Sequence, residues 1–135
     1  EFSGIGFGSA DYCASTGGDM GKASLAYGRG KIINAAALYN AAALDGVWLD
    51  FRDPDGCREE TKYVKTMGFK GRFAIHPDQI KPIHDAYRPT NEELEWAKGV
   101  LEEAKTAGTG AFKYQGKMVD APVLAVARQI ISRED

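Results

Sequence analysis

The chain has 135 residues, 44% of them hydrophobic, with a formal net charge of −2 and a pI of about 5.7. That is one domain's length with enough apolar content for a core, so wholesale disorder is not expected. The acidic balance offers no basic face for nucleic acid, and no apolar run approaches the ~18 residues of a membrane helix.

The N-terminus shows no basic, then apolar, then small-residue pattern, so no signal peptide is expected. Residues 3–8, Ser-Gly-Ile-Gly-Phe-Gly, alternate small with apolar residues and predict a glycine-rich strand, with Ser9-Ala10-Asp11 at its end. Residues 13–22 are polar and glycine-rich and read as a loop. Leu25, Ile32, Ala36, Leu38 and Ala42 predict a helix within 23–43. Gly28 and Gly30, each costing ~1 kcal/mol against alanine, delay its start to Lys31.

The stretch Gly46 to Asp53 organises the rest. Val47 to Leu49 form a short apolar run bounded by Gly46 and Pro54, which predicts a buried central strand. Asp50, Arg52 and Asp53 crowd its C-terminal end, where burial is costly unless the charges pair or face a cleft. In parallel α/β architectures the cleft lies at that end. Two readings stay open, an ion pair closing the strand and charge delivered to a site.

Residues 55–67 place Arg58, Glu59, Glu60 and Lys62 opposite Val64 and Met67, an amphipathic helix that Gly68 stops. Gly71 to Ile75 predicts the next strand, ended by His76-Pro77, and Asp78 to Tyr87 a short helix despite Pro82. Thr90-Asn-Glu-Glu93 is a capping box opening a helix striped by Leu94, Ala97, Leu101 and Ala104. Ala111 to Val119 predicts a hairpin around Gly116, and Asp120-Ala-Pro122 starts a last helix with Leu124, Ala127 and Ile131 inward. Alternating strands and helices imply a parallel sheet. Three parallel strands cannot cover their own edges, so the sheet is expected to belong to a larger one or to pair with another chain.

Local motifs exclude more than they assign. Gly4-Ile-Gly6-Phe-Gly8 has its third glycine one residue early for a dinucleotide fingerprint, and Gly21-Lys22 lacks the flanking residues of a phosphate loop. His76 and His84 lack metal-ligand spacing, so zinc is unsupported. Cys13 and Cys57 form no C-x-x-C pair and are expected as free thiols. Asp11 reads equally as a turn aspartate and as a hard-metal ligand. Asp120 reads as an N-cap, a role compatible with facing a cleft. His76 reads as a structural hydrogen-bonder or, from a cleft, as a ligand contact.

Four phrases occur in order and spacing: Phe7-Gly-Ser-Ala-Asp11, Asp45-Gly-Val-Trp-Leu-Asp-Phe-Arg-Asp53, Gly68-Phe-Lys-Gly-Arg-Phe-Ala-Ile-His-Pro77 and Gly116-Lys-Met-Val-Asp-Ala-Pro122. Together they resemble the C-terminal half of the citrate lyase beta-subunit-like proteins, which include malyl-CoA and citramalyl-CoA lyases. The resemblance covers essentially the whole chain. It implies the last three strands of a (β/α)₈ barrel over residues 1–89 and a C-terminal helix-hairpin-helix extension over 90–135 that closes on a neighbouring subunit's site. It also implies a trimer in the cytoplasm, or in the mitochondrial matrix of a eukaryote, using Mg²⁺ and CoA thioesters. Asp11 matches the family's metal-binding aspartate and Asp120 its catalytic acid or base. Ala10, Ile75 and His76 fall where strand ends line the thioester pocket. The family's glutamate and substrate arginine have no match here, so 135 residues alone are expected to be inactive. Lys70, Arg72 and the glycine-rich residues 12–30 depart from the pattern. The implied chemistry is Claisen-type cleavage or condensation of a 3-hydroxyacyl-CoA; the alternatives are a related thioesterase, an inactive fragment or an assembly module.

Overall fold

A computed structural model describes residues 3–108 and 110–134. Its contacts divide it into two compact units, Glu1–Tyr87 and Arg88–Asp135.

The first unit is built on three parallel strands in the order β1 (Gly4–Gly6), β2 (Ala42–Asp45) and β3 (Gly71–Arg72). Between β1 and β2 run α1 (Ser9–Thr16) and α2 (Lys22–Leu38); between β2 and β3 runs α3 (Pro54–Met67). A 3₁₀ turn, Pro77–Gln79, leads into α4 (Ile80–Tyr87). Residue alternation sorts the two faces of the sheet. Ile5 and Ala43 join Ala36, Val64 and Phe69 in the core shared with the helices. Val64 and Phe69 are fully buried, each contributing about 1.5–3 kcal/mol of transfer free energy. The opposite face is small, and the Phe73 ring lies over Gly6, where a Cβ would come within 2.6 Å of it.

The parallel sheet, the amphipathic α3 and its Gly68 stop, with φ +115°, agree with the sequence reading. Other expectations move. The central strand is Ala42–Asp45, not the apolar run after it. Asn40, with φ 49°, ends α2, and the next backbone groups enter the ladder: Ala42 N–H donates to Ser3, and Lys70 N–H donates to Ala43. Past Asp45 the short flanking strands offer no ladder partner, so Val47 and Trp48 are half-buried and Leu49 is exposed. The helix expected from Lys31 to Ala43 thus starts and stops early. Gly28 lies inside it because Phe7 needs the space: a Cβ there would sit 2.7 Å from the Phe7 ring. The loop expected over 13–22 is helical to Thr16, because Cys13 packs inward with Phe7 and Leu25 and Gly17 supplies a left-handed cap. The third ladder stops at Arg72, short of the expected Ile75.

The second unit pairs α5 (Asn91–Ala107) with α6 (Ala121–Ile131) beside an antiparallel hairpin, β4 (Phe112–Tyr114) and β5 (Lys117–Val119). The capping box forms as expected: Thr90 Oγ1 accepts from Glu93 N–H at 3.1 Å and Glu93 Oε2 from Thr90 N–H at 2.8 Å. Gln115 and Gly116 turn the hairpin with φ 47° and 79°, which matches the sheet's twist. Ala97, Val100, Val119 and Ala127 are its buried core. Gly99 lets the Tyr114 hydroxyl pack against the α5 backbone, 1.8 Å from where a Cβ would stand.

Candidate functional site

At the C-terminal end of β1 the chain turns directly into α1, so Ala10 and Asp11 lie in the first helical turn rather than at the end of the expected strand. Ser9 is 2% exposed and fills the space beside Gly46, where a Cβ would meet its Oγ. That contact fixes the start of α1 against the loop after β2. Ala10 and Asp11 are left exposed in a cleft of 340 Å³ lined also by Gly6, Phe7, Gly8, Val47 and Phe73. Among the described residues nothing donates to that carboxylate. Its Oδ2 lies over Gly8, 3.3 Å from where a Cβ would be.

An open carboxylate in a cleft is a hard oxygen donor, and Mg²⁺ binds through one or two carboxylates while keeping several waters. Asp11 therefore fits that ion. Among the described residues no group of three or more His, Cys, Asp or Glu side chains could hold a metal, so Asp11 offers one ligand and not a complete cage.

Ile75 and His76 stand beyond the end of β3 and outside the lining of that cleft. Ile75 is 54% exposed. The His76 ring stacks on Phe51, centroids 4.8 Å apart, and its Nδ1 accepts from Asp78 N–H at 3.2 Å. Of the three charges expected to act together, Asp53 caps α3 by accepting from Gly56 N–H, and Asp50 accepts from Arg52 N–H in a turn. The Arg52 guanidinium lies 5.5 Å from the Phe51 ring centroid. Among the described residues no ion pair joins these three.

The charge that strand β2 delivers is Asp45, fully buried at its last residue. Asp45 accepts from Arg29 Nε and Nη2 at 3.1 and 3.0 Å and from Arg72 Nη2. Glu60 pairs with Arg29 at 2.9 Å, and Arg72 also donates to Gly46 O and Thr61 Oγ1. Two guanidiniums and two carboxylates thus tie α2, α3, β2 and β3 together below the rim. Sequence reasoning missed this cluster, although Asp45 ahead of Gly46 and Arg29 between two glycines were its visible traces. It also missed Gln79, a 1% exposed amide in the 3₁₀ turn.

Asp120, in the second unit, is the N-cap of α6. Its Oδ1 accepts from Val123 N–H at 3.4 Å, and the residue is partly exposed. Both expected free thiols, Cys13 and Cys57, are buried and form no disulfide. Burial pushes the Cys57 thiol above its ordinary value, an effect the Arg72 charge only partly offsets.

Parallel strands linked by helices, with candidate groups at the strand C-termini, define an α/β segment of the kind found in (β/α) barrels. A family model for carbon–carbon bond lyases of the TIM-barrel fold matches residues 30–135, and the chain belongs to that family. Mitochondrial citramalyl-CoA lyase of Rattus norvegicus is 37% identical over 131 residues, covering 93% of this chain and 39% of that protein. A citrate lyase subunit beta-like protein of Mycobacterium tuberculosis is 38% identical, covering 96% of this chain and 50% of that protein. The solved structure of CitE from M. tuberculosis with magnesium, acetoacetate and coenzyme A superposes with a TM-score of 0.82 at 35% identity, covering 98% of this chain and 52% of that one. The chain therefore spans no more than half the length of these curated relatives. No helix among the described residues is long and apolar enough to cross a membrane.

Proposed function

We propose that the full-length protein is a Mg²⁺-dependent carbon–carbon lyase that cleaves or forms a 3-hydroxyacyl-CoA thioester, with malyl-, citramalyl- or citryl-CoA as the substrate class. The observation that carries this reading is the Asp11 carboxylate, unengaged by described residues, in a cleft at a strand C-terminus. The bound ligands of the M. tuberculosis relative, magnesium, acetoacetate and coenzyme A, support it.

In this mechanism Asp11 would contribute one ligand to Mg²⁺, which would supply Lewis acidity toward the oxygens of the acid partner. Ala10, Ile75 and His76 would line the thioester, and hydrogen-bond donors at the strand ends would stabilise its developing oxyanion. Asp120 exchanges the proton at the carbon beside the thioester carbonyl. The cap bond to Val123 N–H occupies only its Oδ1. Among the described residues nothing engages Oδ2, which leaves it for that proton. Residues 90–135 act as an extension over a neighbouring subunit of a trimer. The compartment is the cytoplasm, or the mitochondrial matrix in a eukaryote; the word mitochondrial in the rat relative's name favours that organelle for a eukaryotic source.

The test is steady-state turnover of the three thioesters by the full-length protein and its Asp120→Asn variant. Turnover should fall by about 10²-fold or more, with thioester affinity within about threefold of the parent. Unchanged turnover would leave Asp120 a cap and nothing else. Free malate accumulating from malyl-CoA without acetyl-CoA and glyoxylate would replace the lyase with a thioesterase.

A further inference from the structure

Gln79 is a wholly buried amide that nothing above assigns. Its Oε1 accepts from Ile75 N–H at 2.9 Å, and its Nε2 donates to Trp48 O at 2.7 Å. The orientation of the amide is fixed by chemistry, since a backbone N–H only donates and a carbonyl only accepts. Its own N–H donates to His76 O at 3.0 Å, so the 3₁₀ turn holds the side chain in place. The two partners belong to different segments. Trp48 lies in the loop after β2, and Ile75 in the loop after β3. On the outer side the same loops meet again, where Phe51 stacks on His76.

We propose that Gln79 is a positioning residue: its carboxamide sets the Ile75–His76 rim against the loop after β2 and so fixes the shape of the thioester pocket. This rests on the reading of Ile75 and His76 as thioester contacts. The loop after β3 has no strand ladder beyond Arg72 and the single Phe73 N–H bond to Asp45 O. Without the amide, the Ile75 backbone would keep only indirect restraints, the 3₁₀ turn and the Phe51–His76 stack beside it. Asp11 follows β1, on the other side of β2, where Ser9 packs against Gly46, and no hydrogen bond among the described residues joins it to Gln79.

The inference separates thioester binding from metal binding, and calorimetry on the full-length protein reads both. With acetyl-CoA as the probe, Gln79→Met should weaken binding about tenfold, the effect of losing two net hydrogen bonds. Affinity for Mn²⁺, probing the Asp11 site, should stay within twofold. Gln79→Glu gives a second, reversible arm. The ionised carboxylate of that variant still accepts from Ile75 N–H but cannot donate to Trp48 O, and burial favours its protonated form. The acetyl-CoA affinity of that variant, relative to the parent at the same pH, should be weak at pH 8 and recover as the pH is lowered to 5.5. Acetyl-CoA affinity within twofold of the parent for both variants at pH 8 would overturn the assignment, even if their melting temperatures fell. Parallel losses of acetyl-CoA and Mn²⁺ would overturn it too, since they mark general loosening. If the parent itself fails to bind acetyl-CoA, the site reading falls first and takes this inference with it.

Discussion

Asp45→Ala tests whether the buried ion cluster holds the rim in place. Asp45 is 0% exposed and is the only carboxylate shared by the Arg29 and Arg72 guanidiniums among the described residues. After its removal Arg29 keeps Glu60, but Arg72 keeps only the neutral acceptors Gly46 O and Thr61 Oγ1. A buried cation would then lack a counter-charge, and breaking such a pair costs about 3–5 kcal/mol. With a urea dependence of ~1–3 kcal/mol/M, the unfolding midpoint of the full-length protein should drop by about 2 M. The loss should persist at 1 M salt, because buried charges are poorly screened. In a double-mutant cycle with Arg72→Met, the second change should cost far less once Asp45 is gone, a coupling above about 1 kcal/mol. A midpoint loss equivalent to less than about 1 kcal/mol, or one abolished by salt, would refute the reasoning.

Two further predictions concern packing. Gly99→Ala should destabilise the second unit by about 1–3 kcal/mol, because the new methyl displaces the Tyr114 ring; faster amide exchange across β4 and β5 is the signature, and unchanged exchange would count against it. Cys57 should resist alkylation at pH 8 in the folded protein and react freely in urea, since it is buried with a raised pKa. The sign of the linkage follows: the folded state holds this proton more tightly, so its stabilising effect is complete below the ordinary value of 9.0 and is lost as pH rises beyond it.

What the sequence made legible was what periodicity and capping encode. The stripe of α3, the Thr90 box and the Gly116 turn follow local rules, and tertiary context did not override them. The central strand escaped because Ala41, Ala42 and Ala43 continue an alanine-rich helical pattern, while their strand role comes from ladder partners at Ser3 and Lys70. Gly28 misled in the same way: its cost in helix propensity is outweighed by the room it gives Phe7. At the site, Asp11, Asp120 and His76 were open readings of the residues to which a family resemblance gave roles, while Ala10 and Ile75 came from the resemblance alone. The structure joins only Ala10 and Asp11 in one cleft. Gln79 and Asp45 were missed because a buried polar side chain has no periodic mark, and its meaning lies in partners 31 and 16 residues away.

The three-stranded sheet has a consequence for handling this polypeptide. β1 and β3 each pair only with β2 among the described residues, so each carries a free row of backbone donors and acceptors. Such rows template association with any extended segment nearby. Their shortness, three residues and two, limits the grip of any single encounter. Produced without further strands, the chain should therefore clump weakly and reversibly as its concentration rises, and dilution should disperse it.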